Sequence, residues 1–214
     1  MDRHPLSQDL TSIARSNVLN RISTTIFVKN SMLIGLLLVF ATMDSFGLTP
    51  DQIKTLPNKE VEKQLWEEHP SSYYVYAGRL FAEGKKDEAV VWLYVGKLRF
   101  RFHLGSKPDL DPSGDPVLFA SLNATLGQSI NEYAGGDIDA WVKQMRAALD
   151  WDESNKNGYT SKSDNKKVLE EQRKGLLDLV RHVELNADKF RKVRKENGLE
   201  NRGVDGEAAE DGDE

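Results

Sequence analysis

The side chains that could carry chemistry are few and far apart in this sequence. Beyond residue 47 the histidines are His69, His103 and His182, and no two of them have the HExxH spacing that places two zinc ligands on one helix face. A zinc site would have to be assembled from distant segments. The chain has no cysteine, no GxSxG motif and no glycine-rich phosphate loop, which excludes thiol chemistry and the common sequence-encoded catalytic sites. We predict no metal, no cofactor and no enzymatic activity.

One segment has part of the pattern of a calcium-binding loop. Residues 109–114, DLDPSG, offer oxygen ligands at positions one, three and five and a glycine at position six. The pattern fails at position twelve, where Ala120 stands in place of a bidentate glutamate, and Pro112 stiffens the turn. We interpret the segment as an ordinary loop and Asp115 as the cap of the helix that follows.

Carboxylates cluster around Trp151, where Asp150, Asp152 and Glu153 lie at the end of a predicted helix. Paired carboxylates perform acid–base chemistry only when burial separates their pKa values. The polar surroundings of this stretch favour a structural, solvated role. A hydrolase whose carboxylates are assembled from distant segments remains the alternative function.

The densest basic group consists of Lys97, Arg99 and Arg101. Its alternation with apolar residues is typical of a strand, but the spacing of small and aromatic residues after Asp87 favours a helix. On a helix Lys97 and Arg101 share one side and Arg99 points away from it. The group is either a solvated face or a docking patch, and we predict that these three side chains form a patch for an acidic partner.

The segments that must position these residues are helical almost throughout. Thr49-Pro50 and Asp115-Pro116 combine a cap residue with proline at the first helical position, and Asp137 is expected to cap another helix. A short helix is predicted over residues 59–68, and the helix that starts at Asp115 should continue to Gly135. The fold class that follows is all-α.

A long C-terminal helix is predicted from residue 163 to residue 197. Leu169, Leu176, Val183 and Phe190 recur every seven residues, and Gly198 is a natural stop. This stripe of four apolar residues is more typical of a helix that packs against other helices of the same chain than of a coiled coil. We expect a helical domain over residues 48–199 and a disordered acidic tail over residues 200–214.

Residues 72–104, SYYVYAGRLFAEGKKDEAVVWLYVGKLRFRFHL, have the residue order of a helical repeat unit. Small residues and an aromatic lead to a glycine at Gly84, then to Asp87-Glu88-Ala89, the aromatic Trp92 and the small Gly96. This order resembles one helix–turn–helix unit of the Sel1/tetratricopeptide class, although a second unit is not visible. The resemblance implies a closely packed αα-hairpin and a protein-binding role, and the chain is similar in type to periplasmic immunity proteins of bacteria.

An export signal is predicted near the N-terminus. Residues 32–41, MLIGLLLVFA, form an apolar run that is too short to span a bilayer but matches the core of a secretory signal. Lys29 precedes the run, and Ser45 and Gly47 are small residues at the positions that signal peptidase requires. We predict cleavage after Gly47, so residues 1–47 are an N-terminal extension plus signal peptide. Our hypothesis for the stretch 1–27 is an over-extended gene start, with an organelle presequence as the alternative.

The net negative charge of the chain argues against nucleic acid as its partner. The 214-residue chain has a formal net charge of −5 and 39 % apolar residues, which is enough for one core. An acidic chain without a long basic block is not a general nucleic-acid binder. The sequence therefore predicts a periplasmic or secreted, non-enzymatic, all-α protein that binds another protein and keeps no membrane anchor after cleavage. An envelope-assembly role is a further alternative.

Overall fold

Regular structure between residues 47 and 205, the part of the chain that the computed structural model describes, is entirely helical. Residues 1–46, which include all of the predicted signal peptide and N-terminal extension except Gly47, lie outside these residues, and so do residues 206–214. The helices are α1 (Pro50–Thr55), α2 (Asn58–Gln64), α3 (Ser71–Ala82), α4 (Lys86–Ser106), α5 (Asp115–Leu122), α6 (Gln128–Ala134), α7 (Ile138–Ser154), α8 (Lys166–Leu185), α9 (Ala187–Glu196) and α10 (Arg202–Asp205). The all-α prediction is confirmed. None of these helices has the length and apolar character that crossing a bilayer requires.

Most of the residues predicted to cap the N-terminus of a helix do so in the structure. Thr49 forms a capping box with Gln52, whose backbone N–H donates to the threonine hydroxyl at 3.2 Å. The Asp137 carboxylate accepts from the Ala140 backbone N–H at 2.9 Å. Asp115 is different, because it is the first residue of α5 and its side chain binds two histidines rather than the helix N-terminus.

Helices α3 and α4 form an antiparallel hairpin whose turn contains Gly84 at a φ of +81°. The two helices approach closely at Gly96, where a Cβ atom would lie 2.9 Å from the Cβ of Tyr73. Only glycine fits at this distance without a shift of the backbone. An αα-hairpin therefore exists where the sequence indicates one, and its relation to the Sel1/tetratricopeptide class stays a prediction.

Helix α4 is the centre of the domain. Helices α3, α6, α7 and α8 pack around it, so side chains on every side of the helix are buried. A helix with neighbours on most sides buries much of what its sequence contains, including polar residues, although Arg101 stays exposed. The strand alternative for residues 97–103 is wrong, since these residues continue α4 to Ser106.

The helix predicted from Asp115 to Gly135 is interrupted by a π-helical turn over Asn123–Gly127. Within this segment the Asn123 side-chain amide donates to the Phe119 carbonyl at 2.7 Å, and the Thr125 hydroxyl donates to the Ser121 carbonyl at 2.8 Å. Such side chains compete for backbone carbonyls and so disturb the regular helical ladder.

The prediction of one long C-terminal helix is wrong in one respect. Asn186 separates α8 from α9, because its side-chain amide donates to the His182 carbonyl at 2.8 Å and its backbone leaves the helical conformation. Within the seven-residue stripe, Leu176 and Val183 are buried and Leu169 and Phe190 are partly buried. Gly198, at a φ of +71°, ends α9 as predicted.

The boundary predicted at residue 200 is also wrong. The Arg202 guanidinium lies 3.8 Å from the ring centre of Tyr133 and donates to the Tyr133 carbonyl at 2.8 Å. The Asn201 side chain donates to the Arg191 carbonyl at 3.0 Å. These contacts hold the segment that follows α9 against the domain as far as α10.

Candidate functional site

Arg99, predicted to contact a partner, is instead buried. It is 1 % exposed, and its Nε donates to the Asp152 carboxylate at 3.0 Å. Its other nitrogens donate to the Tyr73 hydroxyl and, at 2.6 Å, to the Lys156 carbonyl, while the guanidinium stacks 4.7 Å from the ring centre of Trp151. Arg99 is therefore a structural residue and cannot form part of a docking surface.

Asp152 is the centre of this buried network. Besides Arg99, its carboxylate pairs with Lys162 at 3.2 Å and with Arg173 at 3.4 Å. Burial lowers the pKa of Lys162, an effect that the nearby Asp152 carboxylate opposes. The solvated role predicted for Asp152 is wrong, because this side chain is 1 % exposed at the point where α4, α7 and the segment before α8 meet.

Lys97 and Arg101 remain on the surface, one helical turn apart on α4. Together with Tyr94, Gln172 and Leu176 they line a narrow cleft between α4 and α8, which we call the basic cleft. Lys97 is half-buried, and its Nζ donates to Asn131 at 3.2 Å and lies 4.7 Å from the ring centre of Tyr94. Arg101 is exposed.

The basic cleft carries a net positive charge. Within the described part of the chain, no carboxylate lies within salt-bridge distance of Lys97 or Arg101. Burial, and to a smaller extent the neighbouring charge of Arg101, lowers the pKa of Lys97 to about 8. The cleft thus holds two cations whose charge no carboxylate between residues 47 and 205 neutralises.

A second polar cluster joins the two ends of the hairpin region. His103 Nε2 donates to one oxygen of the Asp115 carboxylate at 2.8 Å, and His69 Nε2 lies 3.3 Å from the other oxygen. Burial lowers the pKa of His103, while the Asp115 hydrogen bond acts in the opposite direction. Burial opposes ionisation of Asp115, but the contacts with both histidines outweigh it and lower the pKa of this carboxyl.

Comparison of the chain with protein-family models, with curated proteins and with solved structures gives no match.

The candidate calcium loop has an ordinary structural explanation. The Asp111 carboxylate accepts from the Ser113 backbone N–H and hydroxyl, each at 2.8 Å, and thereby closes the turn before α5. These contacts lower the pKa of Asp111. The carboxylate is used within its own turn, as the loop interpretation expects.

Proposed function

We propose that the chain is an exported helical protein that binds another protein, as an adaptor or an immunity-type inhibitor, through acidic groups of that partner. The observation that carries this proposal is the basic cleft, where no carboxylate of the described residues 47–205 neutralises Lys97 and Arg101, although the chain is acidic. Charge complementarity of this kind accelerates association and disfavours partners with the wrong sign of charge.

The cleft also suits the insertion of a side chain. Lys97 has already lost much of its hydration, so a partner carboxylate placed beside it would gain an ion pair at a reduced cost of desolvation. Leu176 and Leu179 supply an apolar wall next to the two cations. A partner segment with an acidic residue beside an apolar one fits this combination.

Charge reversal at Arg101 tests the proposal. Arg101→Glu should preserve helical content and the melting temperature, because the side chain is exposed, yet reduce retention of the partner by at least about tenfold. The measurement is quantitative capture from periplasmic extract, followed by a direct Kd for the recovered protein at low and high salt. The loss should shrink at high salt because screening weakens exposed charge pairs.

Lys192→Glu is the matched control, since Lys192 is a 76 % exposed lysine on α9 outside the basic cleft. Equal retention by the Arg101 and Lys192 variants would place the partner surface elsewhere. A large drop in helical content of the Arg101 variant would instead show a structural role for this arginine.

Export with cleavage after Gly47 belongs to the same proposal, and the Leu48–Glu68 contact supports it. The Leu48 backbone N–H donates to the Glu68 carboxylate at 2.6 Å, and both residues are buried. Burial raises the pKa of Glu68, an effect that the hydrogen bond from Leu48 opposes. Cleavage would convert this N–H into an α-ammonium group, which would pair with the buried carboxylate.

Mass spectrometry of the periplasmic fraction should therefore recover a chain that begins at Leu48. In that processed chain Glu68→Gln should lower the melting temperature, because the new ammonium group loses its buried counter-charge. The nearby Glu67→Gln is the control, since Glu67 is exposed. Recovery of an uncut chain from the cytoplasm would contradict the export proposal.

A further inference from the structure

Three side chains from separate segments direct potential metal ligands to one point. His69 precedes α3, His103 lies in the last turn of α4, and Asp115 begins α5. Their ligand atoms lie within 4.8 Å of one another. We propose that this His–His–Asp cluster binds a divalent transition-metal ion, with Zn²⁺ as the favoured ion, a function that does not depend on partner binding.

The donor set favours zinc over the alkaline-earth ions. Two imidazole nitrogens and one carboxylate oxygen are ligands that Zn²⁺ accepts while a fourth position stays open, whereas Ca²⁺ and Mg²⁺ prefer oxygen ligands alone. Ligands at about 2.0 Å in tetrahedral geometry lie about 3.3 Å from one another. His69 Nε2 lies 3.3 Å from one Asp115 oxygen and His103 Nε2 lies 2.8 Å from the other. Because the ligand atoms are spread over as much as 4.8 Å, the side chains would have to shift slightly for one carboxylate oxygen and both imidazoles to enclose the ion.

The opposite nitrogen of each histidine has a hydroxyl partner. His69 Nδ1 lies 2.7 Å from the Ser71 hydroxyl, and His103 Nδ1 lies 3.2 Å from the Thr160 hydroxyl. A hydroxyl oxygen can accept a hydrogen bond from Nδ1–H. With its proton on Nδ1, the ring would leave the lone pair of Nε2 free for the metal. Partners of this kind orient the imidazoles in metal sites and fix their tautomers.

Binding requires a movement of protons within the cluster. Without metal, the Ser71 backbone N–H donates to His69 Nδ1 at 3.1 Å, so the neutral ring carries its proton on Nε2 and donates it to Asp115. When the ion takes the place of that proton, each ring carries its remaining proton on Nδ1. His69 must then give up the hydrogen bond from the Ser71 backbone N–H and donate to the Ser71 hydroxyl, and His103 donates to the Thr160 hydroxyl. Each proton moves from Nε2 to Nδ1 of its own ring, so this rearrangement needs no external base.

Access and rigidity both fit a metal site. The His69 and Asp115 side chains are 23 % and 24 % exposed, which leaves a route for the ion and for a water ligand. The Tyr159 ring packs edge-on against both imidazoles, with ring centres 4.8 Å from His69 and 5.0 Å from His103. The ligands are therefore held on one side by protein and are open to solvent on the other.

Calorimetric titration of the full chain with ZnCl₂, after removal of bound metal by chelation and without a histidine tag, tests the proposal. One Zn²⁺ should bind per chain, and the melting temperature should rise with the zinc concentration. His69→Gln should weaken binding by at least about tenfold, the lower end of what perturbing a zinc site costs. Co²⁺ in place of Zn²⁺ should give the visible absorption of a tetrahedral site.

His182→Gln is the matched control, because His182 is an exposed histidine on α8 outside the cluster. His69 is preferred over His103 as the test position because it is partly exposed, so its replacement is better tolerated than that of a buried side chain. Absence of zinc binding in the native chain would overturn the proposal. Equal zinc affinity in the His69 and His182 variants would overturn it as well, and the cluster would then be a hydrogen-bonded clasp between α4 and α5.

Discussion

Replacing Asp152 by alanine will lower the free energy of unfolding by about 3–5 kcal/mol, the usual cost of removing one member of a buried ion pair. The reason is the charge that the replacement leaves behind. Arg99 is 1 % exposed and cannot reach water, so its guanidinium would keep only neutral partners. Lys162 and Arg173 are 22 % exposed and can regain part of their hydration. Urea denaturation followed by circular dichroism gives the free energy directly.

Glu153→Ala is the matched control for this prediction. Glu153 is the next residue in the chain and pairs with Arg173 at 2.9 Å, but its side chain is 73 % exposed. Exposed pairs contribute about 0–1 kcal/mol, so this variant should unfold close to the native chain. Similar losses in the two variants would mean that the network around Asp152 contributes no more than a surface ion pair.

The helical elements could be predicted because their signals are local. The Thr49 cap, the Asp137 cap and the glycines at positions 84 and 198 each act within a few residues, and the structure places them where the sequence indicates. The break at Asn186 escaped prediction because the stripe of Leu176 and Val183 continues with helical spacing up to it. The sequence does not indicate that the side-chain amide of an asparagine on the polar side of a helix will donate to a backbone carbonyl.

The polar clusters depend on tertiary structure and could not be predicted in the same way. Helical geometry correctly separates Arg99 from Lys97 and Arg101, but whether that side of α4 meets solvent depends on α7, which is distant in sequence. The His–His–Asp cluster has no motif, since His69, His103 and Asp115 have no spacing in common with a known site. The local pattern of an Asp-Pro start predicts a helix cap at Asp115, and nothing near it in the sequence indicates its contacts with the two histidines.

Leu176→Ala will destabilise the domain by about 2–5 kcal/mol, the range measured for truncating a buried leucine. Leu176 is 4 % exposed on the face of α8 that packs on α4 and α7, so alanine would leave a cavity in the layer that closes the core. That loss is a large share of a typical stability of about 5–15 kcal/mol. Thermal and urea unfolding should both show it.

Leu185→Ala provides the comparison within the same helix. Leu185 is the last residue of α8 and is 85 % exposed, so its truncation removes almost no buried area and should change stability by less than about 0.5 kcal/mol. If the two leucine variants unfold alike, α8 does not depend on its apolar stripe for its position. If only Leu176→Ala unfolds early, the stripe holds α8 against α4, and the basic cleft between these helices depends on that same contact.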